Sequence, residues 1–152
     1  MPRSYLEKIL RARVYDVAIE TPLDLAKRLS SRLDNRIWLK REDKQSVFSF
    51  KLRGAYNKIY NLPEAARKKG VIAASAGNHA QGVALAGQRL GVPSLIVMPK
   101  TTPPIKVQTV RSLGARAILH GDSYDDAFEH AMTLVREQGL VFVHPFDDPD
   151  VI

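Results

Sequence analysis

The chain contains no cysteine. Disulfides, thiolate metal ligands and cysteine nucleophiles are therefore excluded. It also lacks any apolar run near the roughly 20 residues that a bilayer-crossing helix requires. Met1-Pro2-Arg3-Ser4 leads into a charged amphipathic stretch and not into an apolar signal core. A cytoplasmic protein with no membrane partner is the expectation. The four histidines, His79, His120, His130 and His144, show no metal-ligand spacing, so no metal site is expected. A Gly-x-Ser-x-Gly elbow is absent too, which leaves a serine hydrolase unsupported.

Negative charge is in short supply. Sixteen acidic residues face 23 Lys and Arg, for a net charge of +7. Such an excess raises the question of an anionic polymer as partner. The distribution argues against it: the basic residues are scattered among acids, and no stripe interleaves them with aromatics. Arg67, Lys68 and Lys69 stand just before Gly70, where cations suit the negative end of a helix. Solvated faces, and no nucleic-acid partner, are expected.

With 152 residues, 45% of them hydrophobic and 26% charged, the chain can bury a core of its own. Helix starts are marked by Ser4 with Glu7 and by Ser123 with Asp126, both of capping-box type. Thr21-Pro22 and Thr102-Pro103 each place a hydroxyl ahead of a proline suited to the first helical position. Pro63-Glu64-Ala65 opens a helix that closes at Gly70; Gly91, Gly114 and Gly139 mark further stops. Short apolar runs lie between: Ile37 to Leu39, Val71 to Ala74, Leu95 to Met98, Ala117 to Leu119 and Val141 to Val143. From Gly70 onward strand and helix alternate. That pattern predicts an α/β fold with a parallel sheet covered by helices on both faces. Right-handed crossovers then bring all strand carboxyl ends to one ligand-binding edge. The first fifty-odd residues do not share the rhythm, and the end at Val151-Ile152 carries no cap or charge, as if cut short.

Two stretches carry chemistry. Ser75-Ala76-Gly77-Asn78-His79-Ala80-Gln81-Gly82 follows a buried strand and opens a helix, so its free N–H groups attract an anion. The Gly77-to-Gly82 spacing fits half a P-loop, but Val83-Ala84 stand where Lys-Ser or Lys-Thr belongs, and the three-glycine dinucleotide fingerprint is absent. A plain strand–helix turn capped by Asn78 is the competing reading. The second stretch is Ser49-Phe50-Lys51-Leu52-Arg53-Gly54-Ala55-Tyr56. Lys51 lies between Phe50 and Leu52 at a helix start, and apolar surroundings favour a neutral, nucleophilic amine. Most lysines are merely solvated, so Lys51 needs its context.

Taken together and in this order, the two stretches resemble the threonine dehydratases, a family of the tryptophan-synthase-like (fold type II) pyridoxal-phosphate enzymes. The resemblance runs from Thr21-Pro22-Leu23 through Lys40-Arg41-Glu42-Asp43 to Pro145-Phe146-Asp147. Ser31-Arg32-Leu33-Asp34-Asn35 and Ile96-Val97-Met98-Pro99 are most similar to the biosynthetic, isoleucine-pathway branch. It implies that Lys51 carries pyridoxal 5'-phosphate covalently and that its amine later removes the substrate α-proton. Phe50 would lie against the cofactor ring and Asn78 would bond its phenolic oxygen. Ser75, Gly77 and His79 would line the pocket for the carboxylate of an amino-acid substrate. L-Threonine, and possibly L-serine, would lose the β-hydroxyl, threonine giving 2-oxobutanoate and ammonia. Serine racemases share much of the motif but carry a serine where this chain has Ala76, so elimination is expected over racemisation.

The resemblance further implies a division of the chain. Residues 1–53 would form the front of a larger cofactor-binding domain, left incomplete. Residues 54–149 would be the small α/β domain, and 150–152 the return to the larger one. The glycine-rich phosphate cradle and the partner of the ring nitrogen would lie beyond Ile152. A homo-oligomer is expected of the full-length enzyme, and little cofactor binding or turnover of this stretch alone. The rival readings are a short pseudoenzyme that binds a full-length homologue, and a basic nucleic-acid-binding module.

Overall fold

A four-stranded parallel sheet forms the centre of the molecule, in a computed structural model that describes residues 3–152. Ahead of the sheet come α1 (Arg3–Arg11), a single 3-10 turn at Val14–Asp16, β1 (Leu23–Leu25), α2 (Lys27–Arg32) and β2 (Trp38–Lys40). A second 3-10 turn at Glu42–Lys44 leads to α3 (Lys51–Tyr60) and α4 (Glu64–Lys69). The alternating part is β3 (Val71–Ala74), α5 (Asn78–Leu90), β4 (Ser94–Met98), α6 (Pro104–Ser112), β5 (Arg116–Leu119), α7 (Tyr124–Gln138) and β6 (Val141–Phe142). The expected strands after Gly70 are all present.

Strand order is β5-β4-β3-β6, every pair parallel. The chain steps outward from β3 to β4 to β5, then crosses back over both to place β6 on the far side of β3. A right-handed crossover that reverses direction must put its helix on the opposite face. The core shows this. Side chains alternate across the pleat, so Val71, Ala73, Ile96 and Met98 pack with residues of α3, α5 and α6. Ile72, Ala74, Leu95 and Val97 pack with Ala127, Ala131 and Leu134 of α7. All of β3 is buried, which explains its unbroken apolar sequence. The reversal makes the β3/β6 edge the switch point of the sheet, where an α/β fold opens a crevice.

Several local signals are fulfilled. Ser123 and Asp126 form a reciprocal capping box, Gly91 and Gly139 end α5 and α7 in the left-handed region, and α4 closes on its basic turn at Gly70. The side chain of Ser4 lies outside the described residues, and with it the Ser4–Glu7 pair. Two starts differ from expectation. Thr21-Pro22 opens no helix, because the Thr21 hydroxyl donates to Glu42 at 2.6 Å and the Pro22 carbonyl accepts from Arg41 N–H beside the β1–β2 pair. At Thr102-Pro103 the helix begins one residue later: Pro104 follows Pro103 and forces it out of the helical region (φ −55°, ψ 136°).

The front segment stands apart. β1 and β2 pair antiparallel in a two-stranded sheet of their own. Leu23, Leu25, Trp38 and Leu39 are exposed there, so the apolar run at Ile37 to Leu39 does not enter the core. Polar contacts hold this segment to α3. Arg53 Nε donates to Glu42 at 2.9 Å and the Tyr56 hydroxyl donates to Asp16 at 2.9 Å, while Gln45 bonds both backbone groups of Ile19 within the segment itself.

Candidate active site

The loop after β3 and the start of α3 meet at the switch-point edge. Their meeting depends on close backbone contact between α3 and α5. Gly82, on the second turn of α5, sits against the first residue of α3; a Cβ there would lie 2.9 Å from the Lys51 carbonyl oxygen. Only a residue without a side chain lets the two helices approach this closely. Lys51 is thereby set beside the helix start that holds Asn78 and His79.

The chain leaving β6 closes the arrangement. Lys51 Nζ donates to the Pro145 carbonyl at 2.5 Å, and His79 Nε2 bonds the Val143 carbonyl at 2.8 Å. The carbonyl must accept, so Nε2 carries the proton and Nδ1 is the bare nitrogen. Burial, with lesser contributions from the charges of Lys51 and His144, pushes the His79 imidazole down to about 4. It is therefore neutral near pH 7. Its Nδ1 is buried with no hydrogen-bond partner among the described residues.

In the turn itself, Ser75 Oγ accepts from Gly77 N–H at 3.2 Å and shapes the bend before α5. Nothing lies within 4 Å of where a Gly77 Cβ would be, so the ground in front of this turn is open. Gly77 is the N-cap of α5 and no side chain caps the helix. Asn78 is thus not the local cap that the plain-turn reading requires; its side chain is exposed. The N–H groups of Asn78, His79 and Ala80 have no acceptor within the helix.

The structure brings Lys51, Ser75, Gly77, Asn78 and His79 to one edge. It differs from expectation on the surroundings of the lysine. Phe50 is 56% exposed while Leu52 is buried, and Lys51 is half-buried, its ammonium 5.3 Å from the centre of the Phe50 ring. The apolar enclosure on both sides is not formed, because α3 buries the Leu52 side and turns Phe50 outward. The imidazole of His79 also points inward to the sheet, so what it offers the open side is its backbone N–H. Three residues near the site had no positioning role in the sequence reading: Gly82, weighed only for its P-loop-like spacing, Pro145, and His144, weighed only as a metal ligand. Gly82 was visible as a glycine inside a helix, a residue that needs a packing reason. A backbone carbonyl such as that of Pro145 leaves no trace in residue types.

The model of pyridoxal-phosphate dependent enzymes matches residues 14–152. The chain belongs to that family. It is 61% identical over 148 residues to a biosynthetic, chloroplastic threonine dehydratase of Arabidopsis thaliana, covering 97% of this chain and 25% of that protein. A biosynthetic L-threonine dehydratase of Burkholderia multivorans is 60% identical, with 97% and 30% covered. Among solved structures, the processed form of threonine deaminase isoform 2 from Solanum lycopersicum superposes with a TM-score of 0.92 at 59% identity, over 97% of this chain and 41% of that one. Maize serine racemase does so at 0.88 and 31% identity, over 95% and 45%. The chain thus spans between a quarter and a third of the length of these two curated relatives.

Among the described residues no helix is long and apolar enough to cross a membrane, and no group of three or more His, Asp or Glu is placed to hold a metal ion.

Proposed function

We propose that this chain supplies the cofactor-bearing lysine and the substrate-carboxylate site of a pyridoxal-phosphate-dependent L-threonine dehydratase. The observation that supports it most is the convergence of Lys51 Nζ and the α5 N-terminus on the residues leaving β6, through Pro145 and Val143. The residues fit the group. A primary amine stands at the rim of an open turn, and the first N–H groups of α5 are left without a capping side chain. Pyridoxal phosphate, when bound, supplies an electron sink that stabilises negative charge at the substrate α-carbon.

The chain's own residues do the rest. Lys51 would hold the cofactor through its amine, and once the substrate's amino group has displaced it the freed Nζ would take the α-proton. The backbone N–H groups of Asn78, His79 and Ala80, at the positive end of α5, bind the substrate carboxylate. Gly77 leaves them open, and Ser75 holds the turn in shape. His79 takes part through its main chain while its ring ties the turn to β6. Asn78, exposed at the start of α5, would orient the cofactor by bonding its phenolic oxygen, and the exposed Phe50 ring would lie against the cofactor ring.

Ala76 is exposed in the same turn and brings only a methyl group, so no acid or base reaches the substrate from that position. This favours elimination over the racemisation named in the maize relative. We take residues 1–53 and 150–152 as parts of the larger cofactor domain and 54–149 as the small one, the boundary falling within α3. A homo-oligomeric, cytoplasmic enzyme is part of the same reading, although the Arabidopsis relative is named chloroplastic.

The test is turnover of L-threonine by the cofactor-loaded full-length enzyme that contains this chain, followed as 2-oxobutanoate release. Release that disappears in Lys51→Ala supports the reading; undiminished release in that variant overturns it.

A further inference from the structure

The loop after β6 contains a second imidazole that the reading above leaves without a role. His144 Nδ1 accepts two backbone hydrogen bonds, from Phe146 N–H at 3.3 Å and from Asp147 N–H at 2.7 Å. Its ring is held edge-on between Phe142, centroids 5.9 Å apart, and Phe146, 4.7 Å apart. Phe142 in turn meets Phe128 of α7 edge to face at 5.4 Å. The imidazole is therefore fixed to the sheet by packing and to the loop by hydrogen bonds.

The Phe146 N–H and the Pro145 carbonyl belong to one peptide unit. That unit is planar, and no cis peptide bond occurs among the described residues. In a trans peptide the N–H and C=O point in opposite directions. Holding the Phe146 N–H on His144 thus turns the Pro145 oxygen the other way, and that is the oxygen to which Lys51 Nζ donates. We propose that His144 is a positioning residue for Lys51, orienting through one peptide plane the carbonyl that holds the lysine amine at the mouth of the site. The chemical importance of Lys51 rests on the functional reading above, but the contact itself does not.

An acceptor at Nδ1 is required, not an aromatic ring as such. Asparagine can accept from nearby backbone N–H groups in the same local geometry, whereas alanine cannot. With the acceptor lost, the peptide plane is free to rotate and Lys51 loses its anchor.

The experiment compares wild type, His144→Ala and His144→Asn by reductive methylation of the cofactor-free protein, with peptide mass spectrometry. The rate at Lys51 is read against that at exposed Lys68. The inference expects the Lys51 rate to rise on the order of tenfold in His144→Ala, the worth of one hydrogen bond to a charged group, and to return towards wild type in His144→Asn. Unchanged Lys51 reactivity in a folded His144→Ala protein overturns it, as does an asparagine variant that behaves like alanine. Should His144→Ala not fold, the imidazole nitrogen resonances of the wild type at pH 8 decide: a protonated Nδ1 overturns the inference, and a bare Nδ1 with protonated Nε2 supports it. No cofactor is needed, so a failure here is separable from a failure of the dehydratase reading.

Discussion

Gly82 and Lys51 touch backbone to backbone: a Cβ on Gly82 would stand 2.9 Å from the Lys51 carbonyl oxygen and 3.0 Å from its carbon. The atoms in the way are main chain and cannot swing aside. In an unencumbered helix, glycine-to-alanine stabilises by about 1 kcal/mol. Overpacking against a fixed backbone costs ~1–3 kcal/mol. The second effect governs here, so Gly82→Ala is expected to lower stability by up to roughly 2 kcal/mol net. Urea unfolding of the variant checks the sign, and a more stable Gly82→Ala would mean that α3 and α5 are not this close.

His79 makes the site junction sensitive to acid. Its pKa falls from the ordinary 6.5 to about 4 on folding, chiefly through burial. A group whose folded pKa is depressed contributes stability above its unfolded value and loses it as pH falls. The contribution is complete above about pH 6.5 and disappears as the pH approaches 4. His79→Gln retains a donor for the Val143 carbonyl but cannot titrate. Its stability is expected to stay flat between pH 6.5 and 4.5 where the wild type declines, as thermal melts across that range will show.

A second acid transition lies lower. The Arg53 guanidinium, with help from Thr21 and Gln45, holds the Glu42 carboxyl down at about 2 against an ordinary 4.5. Both partners are largely shielded, with side-chain exposures of 16% for Glu42 and 23% for Arg53. The pair contributes at most roughly 3 kcal/mol above pH 4.5, all of it lost as the pH falls through 2. Glu42→Gln is expected to lose most of it at neutral pH and to loosen the front segment, because Arg53 is left without its counter-charge. Hydrogen exchange of the Ile19 and Gln45 amides would report that loosening.

How far the sequence reveals this molecule depends on the kind of interaction. The strand at Val71 to Ala74 was legible because both faces of β3 are buried, which leaves an unbroken apolar run. The Ser123 cap was legible because hydroxyl and carboxylate must be three residues apart. Lys51 and Asn78 are linked in the sequence only through the family resemblance, and the close approach of α3 and α5 at Gly82 sets their two helix starts side by side. β1 was not seen: its three residues are held by pairing with β2 and by the Thr21–Glu42 contact, 21 positions apart. Such contacts have no local signature. The anchoring of Lys51 by Pro145 is of the same kind, since any residue could supply that carbonyl.

One measurement reaches the centre of the account. Borohydride reduction of the full-length protein with pyridoxal phosphate, followed by digestion and peptide mapping, fixes the cofactor to the amine that bears it. The account predicts a pyridoxyl label on the peptide containing Lys51, and no comparable label on Lys40, Lys44 or Lys58. A principal label on any other lysine would contradict it.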